Sequence, residues 1–122
     1  MKIIKIKTQS LTVTAVLIES KTAEAIWNAL PFESEVNTWG DEIYFEIPLS
    51  LQLENGKRVV QVGDLAYWPE GNCFCIFFGT TPISTNGEIR PASAVSVFGR
   101  LTDEPSLLKK VKAGENIRVE RA

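Results

Sequence analysis

VGDLAYWPEGNCFCIFFG, residues Val62–Gly79, contains two apolar runs separated by a tetrapeptide of turn-forming character. The runs are Leu65–Trp68 and Cys73–Phe78, and the tetrapeptide is Pro69–Asn72. Because proline, glycine and asparagine favour tight turns, this pattern predicts a β-hairpin. Both alternating sets of side chains in the second run are apolar. That strand is therefore predicted to be covered on both faces, or covered on one face while the other is offered to a ligand.

Short segments on both sides of this hairpin predict further β-strands. These segments are Lys2–Lys7, Leu11–Ile18, Phe32–Trp39, Glu42–Ile47, Leu49–Leu53, Arg58–Val62, Ala94–Leu101 and Asn116–Glu120. The dipeptide Asn55-Gly56 predicts a second hairpin, which joins Leu49–Leu53 to Arg58–Val62. The chain has no βαβ rhythm and no internal repeat, so the pattern favours a closed antiparallel barrel or a sandwich.

Two segments have the apolar spacing of helices. Lys21–Leu30 follows a candidate N-cap residue, Ser20, and its apolar stripe predicts that Trp27 is buried. Pro105–Val111 is a shorter predicted helix, and two helices are enough to cap the two openings of a small barrel. The long polar connection Thr80–Ser93 has little capacity for regular structure, and loops of this length are often functional.

The composition limits the classes of function. A chain of 122 residues, of which 44% are hydrophobic, predicts one domain with an ordinary core. The net charge of −2 provides no basic surface for nucleic acid or for an anionic membrane. The sequence shows neither a signal peptide nor an apolar run that could span a bilayer, so we expect a cytoplasmic protein.

The residue types restrict the chemistry further. There is no histidine, which removes the commonest general base and most zinc sites, so we expect no metal and no cofactor. Cys73 and Cys75 are interpreted as small core residues, the alternative being a redox or soft-metal role. Glu42 and Glu46 lie on the outward side of their strand and are interpreted as solvated surface, the alternative being a hydrolase carboxylate pair.

The aromatic side chains predict a ligand pocket. Tyr44, Trp68, Phe77 and Phe78 supply apolar walls, and the long loop supplies Arg90. Apolar walls with one or two polar groups suit a peptide or a small anionic or aromatic molecule. The alternative is that most of these aromatic side chains fill the interior of the barrel.

Several strings of sequence resemble the cyclophilins and, more closely, a small uncharacterised cyclophilin-like family of bacteria and archaea. The strings are VNTWGDEIYF (Val36–Phe45), GDLAYWPEG (Gly63–Gly71), FFGTTP (Phe77–Pro82) and RPASAVSVFG (Arg90–Gly99). The resemblance covers nearly the whole chain. It implies a mainly β fold, a closed eight-stranded barrel capped by two helices, in a single domain of residues 1–122.

The resemblance also implies where a site would lie. Cyclophilins accelerate prolyl isomerisation with an arginine that polarises the substrate amide beside a hydrophobic proline pocket. Phe78 falls on the pocket phenylalanine, while Arg90, Pro91 and Val95 fall where cyclophilins have tryptophan, leucine and histidine. The catalytic arginine is expected from the strand after the first helix, and Pro31–Lys57 contains no arginine.

We therefore predict a ligand- or peptide-binding module that lacks efficient prolyl isomerase activity. The predicted ligand-binding residues are Phe78, Trp68, Tyr44, Phe77, Arg90 and Pro91. One alternative is a weak peptidyl-prolyl cis-trans isomerase that uses Arg90, and another is a structural protein that forms a homodimer. Nucleic acid and membrane are not expected partners.

Overall fold

The computed structural model, which describes residues 1–122, contains nine β-strands, one α-helix and one 3-10 helix. The strands are β1 (Ile3–Thr8), β2 (Thr12–Leu17), β3 (Phe32–Glu35), β4 (Asn37–Trp39), β5 (Glu42–Glu46), β6 (Asp64–Trp68), β7 (Cys73–Phe77), β8 (Ser96–Leu101) and β9 (Asn116–Arg121). Helix α1 (Lys21–Ala29) lies between β2 and β3, and the 3-10 helix Pro105–Lys110 lies between β8 and β9.

All nine strands belong to one sheet, in the order β3-β9-β1-β2-β8-β6-β7-β5-β4. Its two outermost strands, β3 and β4, are separated in the chain only by Val36, so the edges of the sheet meet at this residue. The Val36 amide donates to the Glu115 carbonyl, and the Gly114 amide donates to the Val36 carbonyl, each over 2.9 Å. The sheet is thus a nearly closed barrel, which confirms the predicted fold class. The strand count is nine rather than the eight that the resemblance implies, and Val36 divides the strand predicted at Phe32–Trp39 into β3 and β4.

Side chains at alternate positions of the strands point into the barrel and form an inner core. Phe74 of β7 is fully buried at an aromatic centre of this core. Its ring stacks on Phe45 at a centroid distance of 4.8 Å and meets Phe98 edge-on at 5.0 Å and Phe32 edge-on at 6.4 Å. Ile4 and Ile6 of β1 and Ile117 and Val119 of β9 are likewise buried.

Helix α1 begins where the sequence predicts and ends at Ala29, one residue before the predicted Leu30. The Ser20 hydroxyl accepts a hydrogen bond from the Ala23 amide over 3.1 Å, and Leu30 leaves the helix with extended backbone angles. Ile26 is fully buried in the inner core. Trp27 is only partly buried, although the sequence predicts that it is buried. One face of its ring is covered by the Arg121 guanidinium group, whose carbon lies 4.5 Å from the ring centroid.

The second helix is a 3-10 helix and places Leu108 in the inner core. Neither helix is long and apolar enough to cross a membrane.

Strand β7 is buried on both faces, as one of the two predicted arrangements requires. Phe74 and Ile76 face the inner core, whereas the other face contributes to a second group of buried side chains, which we call the outer cluster. Its members are Val60, Ala66, Cys73, Cys75, Phe77, Ile89 and Val95. Residues 57–62 and 89–95 cover this face and are joined by isolated bridges, 57 to 95 and 60 to 89.

The predicted second hairpin is wrong, since residues 49–53 and 58–62 form no ladder. Instead, side-chain hydroxyl groups form hydrogen bonds with backbone amide and carbonyl groups of this segment. The Tyr67 hydroxyl accepts from the Leu51 amide over 3.1 Å and lies 2.8 Å from the Leu49 carbonyl, to which it donates. The Ser96 hydroxyl accepts from the Glu54 amide over 2.7 Å. These bonds hold the segment on the barrel without regular structure.

Candidate functional site

A cavity of about 210 Å³ lies on the outer face of the barrel, between the sheet and residues 91–95. Strands β4, β5 and β6 provide one side of it and the connection before β8 provides the other. It is lined by Trp39, Glu42, Tyr44, Trp68, Pro91, Ala92 and Val95.

The register of the strands brings the cavity side chains together. Trp39 pairs with Glu42 across the turn between β4 and β5, where Gly40 has the positive φ of 59° that glycine accommodates without strain. Tyr44 lies two residues after Glu42 and therefore on the same face. Tyr44 pairs with Cys75 of β7, which links this face to the outer cluster.

Two aromatic rings form walls that stand almost at right angles. The centroids of Tyr44 and Trp68 are 6.4 Å apart, with an interplanar angle of 81°. The Trp68 Nε1–H donates to the Ser93 hydroxyl over 2.7 Å, and that hydroxyl donates to a Glu70 carboxylate oxygen over 2.9 Å. A Cβ on Gly71 would lie only 2.6 Å from the Trp68 ring, so the ring packs directly on this glycine. The Trp68 wall is therefore held in one orientation.

Glu42 is the one charged side chain in the lining, and it is only 6% exposed. Burial raises its pKa from 4.5 to about 7, and the neighbouring Cys75 thiol acts in the opposite direction. No lysine or arginine forms an ion pair with Glu42. The interpretation of Glu42 as solvated surface is therefore wrong. Its strand face was predicted correctly, but the loop at 91–95 covers it.

The two cysteines are free and buried, as their interpretation as core residues predicts. Burial raises the pKa of Cys73 to about 11, with smaller contributions from the carboxylates of Glu46 and Glu42. Burial also raises the pKa of Cys75 well above its ordinary value, as does the neighbouring Glu42. Both thiols therefore stay protonated near neutral pH, where a thiol is a poor nucleophile and a poor metal ligand.

The structure brings only some of the predicted ligand-binding residues to the cavity. Those in its lining are Tyr44, Trp68 and Pro91. Phe78 belongs to the inner core with 8% of its surface exposed, and Phe77 is fully buried in the outer cluster. Arg90 lies outside the lining and pairs with Glu88 over 2.6 Å. The role of these residues in binding stays a prediction.

Four lining residues were not among the predicted ligand-binding residues: Trp39, Glu42, Ala92 and Val95. The first two carried a signal, because Gly40-Asp41 marks a tight turn that places Trp39 opposite Glu42 on one face. Ala92 carried none, since its place depends on how the long connection folds over the sheet.

Comparisons with known proteins agree with this architecture. The family model described as Cyclophilin-like matches residues 2–120. Among solved structures, the chain is similar to the solution structure of the hypothetical protein AF2241 from Archaeoglobus fulgidus, with 45% sequence identity and a TM-score of 0.84. That similarity covers 99% of this chain and 95% of the archaeal chain. No curated protein matches the chain. The match over almost the whole sequence shows that the chain belongs to the cyclophilin-like family.

Proposed function

We propose that the protein is a binding module whose ligand occupies the cavity between Tyr44, Trp68 and Pro91. The observation that carries this proposal is a largely apolar cavity with a single buried carboxyl group in its lining. Sites for small ligands are typically concave and apolar, with a few polar groups that orient the ligand. The ligand-binding residues predicted from sequence and those that line the cavity overlap at these three positions.

Binding ranks above catalysis because the lining offers no cation. An isomerase that polarises the substrate amide needs a positively charged group at the bond, and Arg90 is instead engaged by Glu88. The backbone amide of Arg90 also donates to the Ser84 hydroxyl over 3.0 Å, which ties this part of the loop to residue 84. Weak isomerase activity that uses Arg90 therefore remains the second hypothesis.

The three tryptophans of the chain provide a direct test. Trp39 and Trp68 line the cavity, whereas Trp27 lies on α1 and is an internal reference. In NMR titrations with Xaa-Pro peptides and a panel of small metabolites, a ligand of the cavity is expected to shift the indole signals of Trp39 and Trp68 and leave that of Trp27 unchanged. A full panel that moves neither cavity signal would refute the proposal.

Matched variants separate the site from general effects of losing an indole ring. Trp68→Leu removes a wall of the cavity and is expected to abolish binding, whereas Trp27→Leu makes the same chemical change outside it and is expected to preserve binding. Prolyl exchange on an Xaa-Pro peptide, measured by NMR, tests the second hypothesis. Acceleration by the wild type that is lost in Arg90→Ala would favour the isomerase over a pure binding module.

A further inference from the structure

We propose that the cavity selects a cationic ammonium group, such as a methylated or quaternary amine, held by the Glu42 carboxylate among the rings of Trp39, Tyr44 and Trp68. This inference rests on the proposed binding function and narrows it to one class of ligand. It reverses the sign of charge expected from the sequence, where Arg90 suggested an anionic ligand.

The first support is charge. Glu42 is a buried acid in the cavity lining, and no side chain of the protein neutralises it through an ion pair. A buried charge without a partner is unfavourable, so a ligand that brings a positive charge supplies what the protein lacks. An anionic ligand would meet only the same sign of charge in this lining.

The second support is the aromatic content of the lining. Three of its seven residues, Trp39, Tyr44 and Trp68, are aromatic. The negative faces of such rings attract cations, and groups of rings around an ammonium are a general solution for recognising methylated amines. Tyr44 and Trp68 stand at 81° to each other, with centroids 6.4 Å apart, so the two rings bound the cavity from different directions.

The third support is size. An apolar cavity of about 150 Å³ is large enough for benzene, and this one measures about 210 Å³. It therefore holds a compact group such as trimethylammonium, with room for a linking chain, but is small for an extended peptide. The exposed Ala92 in its lining marks where the rest of a ligand leaves toward solvent.

The titration of Glu42 gives the proposal a distinctive signature. Its pKa of about 7 in the free protein means that a cation must displace a proton under mildly acidic conditions. The other titratable groups on this face are Tyr44, Cys73, Cys75 and Glu46, and Glu70 accepts the Ser93 hydrogen bond beside Trp68. Raised pKa values keep both thiols neutral. The affinity for a cation is therefore expected to fall about tenfold for each pH unit below about 7.

The test compares choline with 3,3-dimethyl-1-butanol, which has the same shape but a carbon atom in place of the charged nitrogen. Titrations of the wild type above neutral pH are followed through the indole signals of Trp39 and Trp68. We expect choline to bind about tenfold or more tightly than its neutral isostere. Glu42→Gln should abolish this preference and its pH dependence, whereas Glu46→Gln, on the same face but exposed, should retain both.

The outcomes separate this inference from the proposed function. Equal binding of the two probes, or undiminished choline preference in Glu42→Gln, would overturn the cation selectivity while the cavity remained a binding site. If neither probe binds but another compound of the panel shifts the Trp39 and Trp68 signals, the cation selectivity is likewise overturned and the cavity is still a binding site. Failure of every compound would overturn both. Choline preference that requires Glu42 and weakens below neutral pH would support the inference.

Discussion

Glutamine in place of Glu42 keeps the size of the side chain but removes the ionisation that burial opposes. Because the pKa is raised from 4.5 to about 7, the folded protein retains a proton that the unfolded chain releases between these values. The stability contributed by the protonated form is complete below pH 4.5 and is lost as the pH rises to about 7. The difference corresponds to about 3 kcal/mol, since one pKa unit is worth about 1.4 kcal/mol.

We therefore expect the free energy of unfolding of Glu42→Gln, relative to that of the wild type, to increase by about 3 kcal/mol between acidic and mildly alkaline pH. Urea denaturation monitored by tryptophan fluorescence measures both proteins at each pH. Hydrogen bonds lower the pKa values of Glu54, Glu115 and Glu120, so these groups make the protein more stable as the pH rises. Because neither substitution removes these hydrogen bonds, their effect cancels when a variant is compared with the wild type. Glu46→Gln is the matched control, because Glu46 is exposed.

A pH-independent difference between Glu42→Gln and the wild type would refute this reasoning. So would an NMR titration of the Glu42 carboxyl carbon with its midpoint near 4.5, because the side chain would then be solvated and the cavity open to water.

Three further substitutions test other parts of the structure. Tyr67→Phe should lower the free energy of unfolding by about 1–3 kcal/mol because the Leu51 amide loses its acceptor, and an unchanged urea midpoint would contradict this role. Phe74→Ala should lower it by about 3–5 kcal/mol, since the ring is fully buried against Phe45, and a change below about 1 kcal/mol would show that the core can collapse around it. Arg90→Ala should leave binding in the cavity unchanged, because the side chain pairs with a half-exposed acid outside the lining; loss of binding would show that Arg90 reaches the ligand.

The inner core was predictable because its information is local. In β5, alternation alone assigns Ile43 and Phe45 to the interior, and both are fully buried. The N-cap of α1 and the turn at Pro69–Asn72 depend on the properties of a few adjacent residues, and both form where the sequence predicts. Resemblance to a family of the same fold then selected a barrel over a sandwich.

The candidate site was less predictable because its cover comes from distant, irregular chain. Alternation assigns Glu42 to the outward face, but it does not say that residues 91–95 lie over that face. The segment at 49–62 has the sequence of a hairpin, yet the Tyr67 and Ser96 hydroxyl groups bind its backbone instead. Such side-chain competition for backbone groups leaves no periodic trace in the sequence.

Strand β5 encodes stability and the proposed binding chemistry on opposite faces. Ile43 and Phe45 belong to the inner core, while Glu42 and Tyr44, at the alternate positions, line the cavity. Substitution of Tyr44 therefore changes the cavity without touching the inner core. Glu42 is the exception, because its ionisation opposes folding and, in our proposal, provides the charge that attracts the ligand. A bound cation would stabilise the carboxylate that burial destabilises, so the ionised side chain would no longer oppose folding. In our proposal, Glu42 therefore lacks a partner within the protein because its partner is the bound ligand.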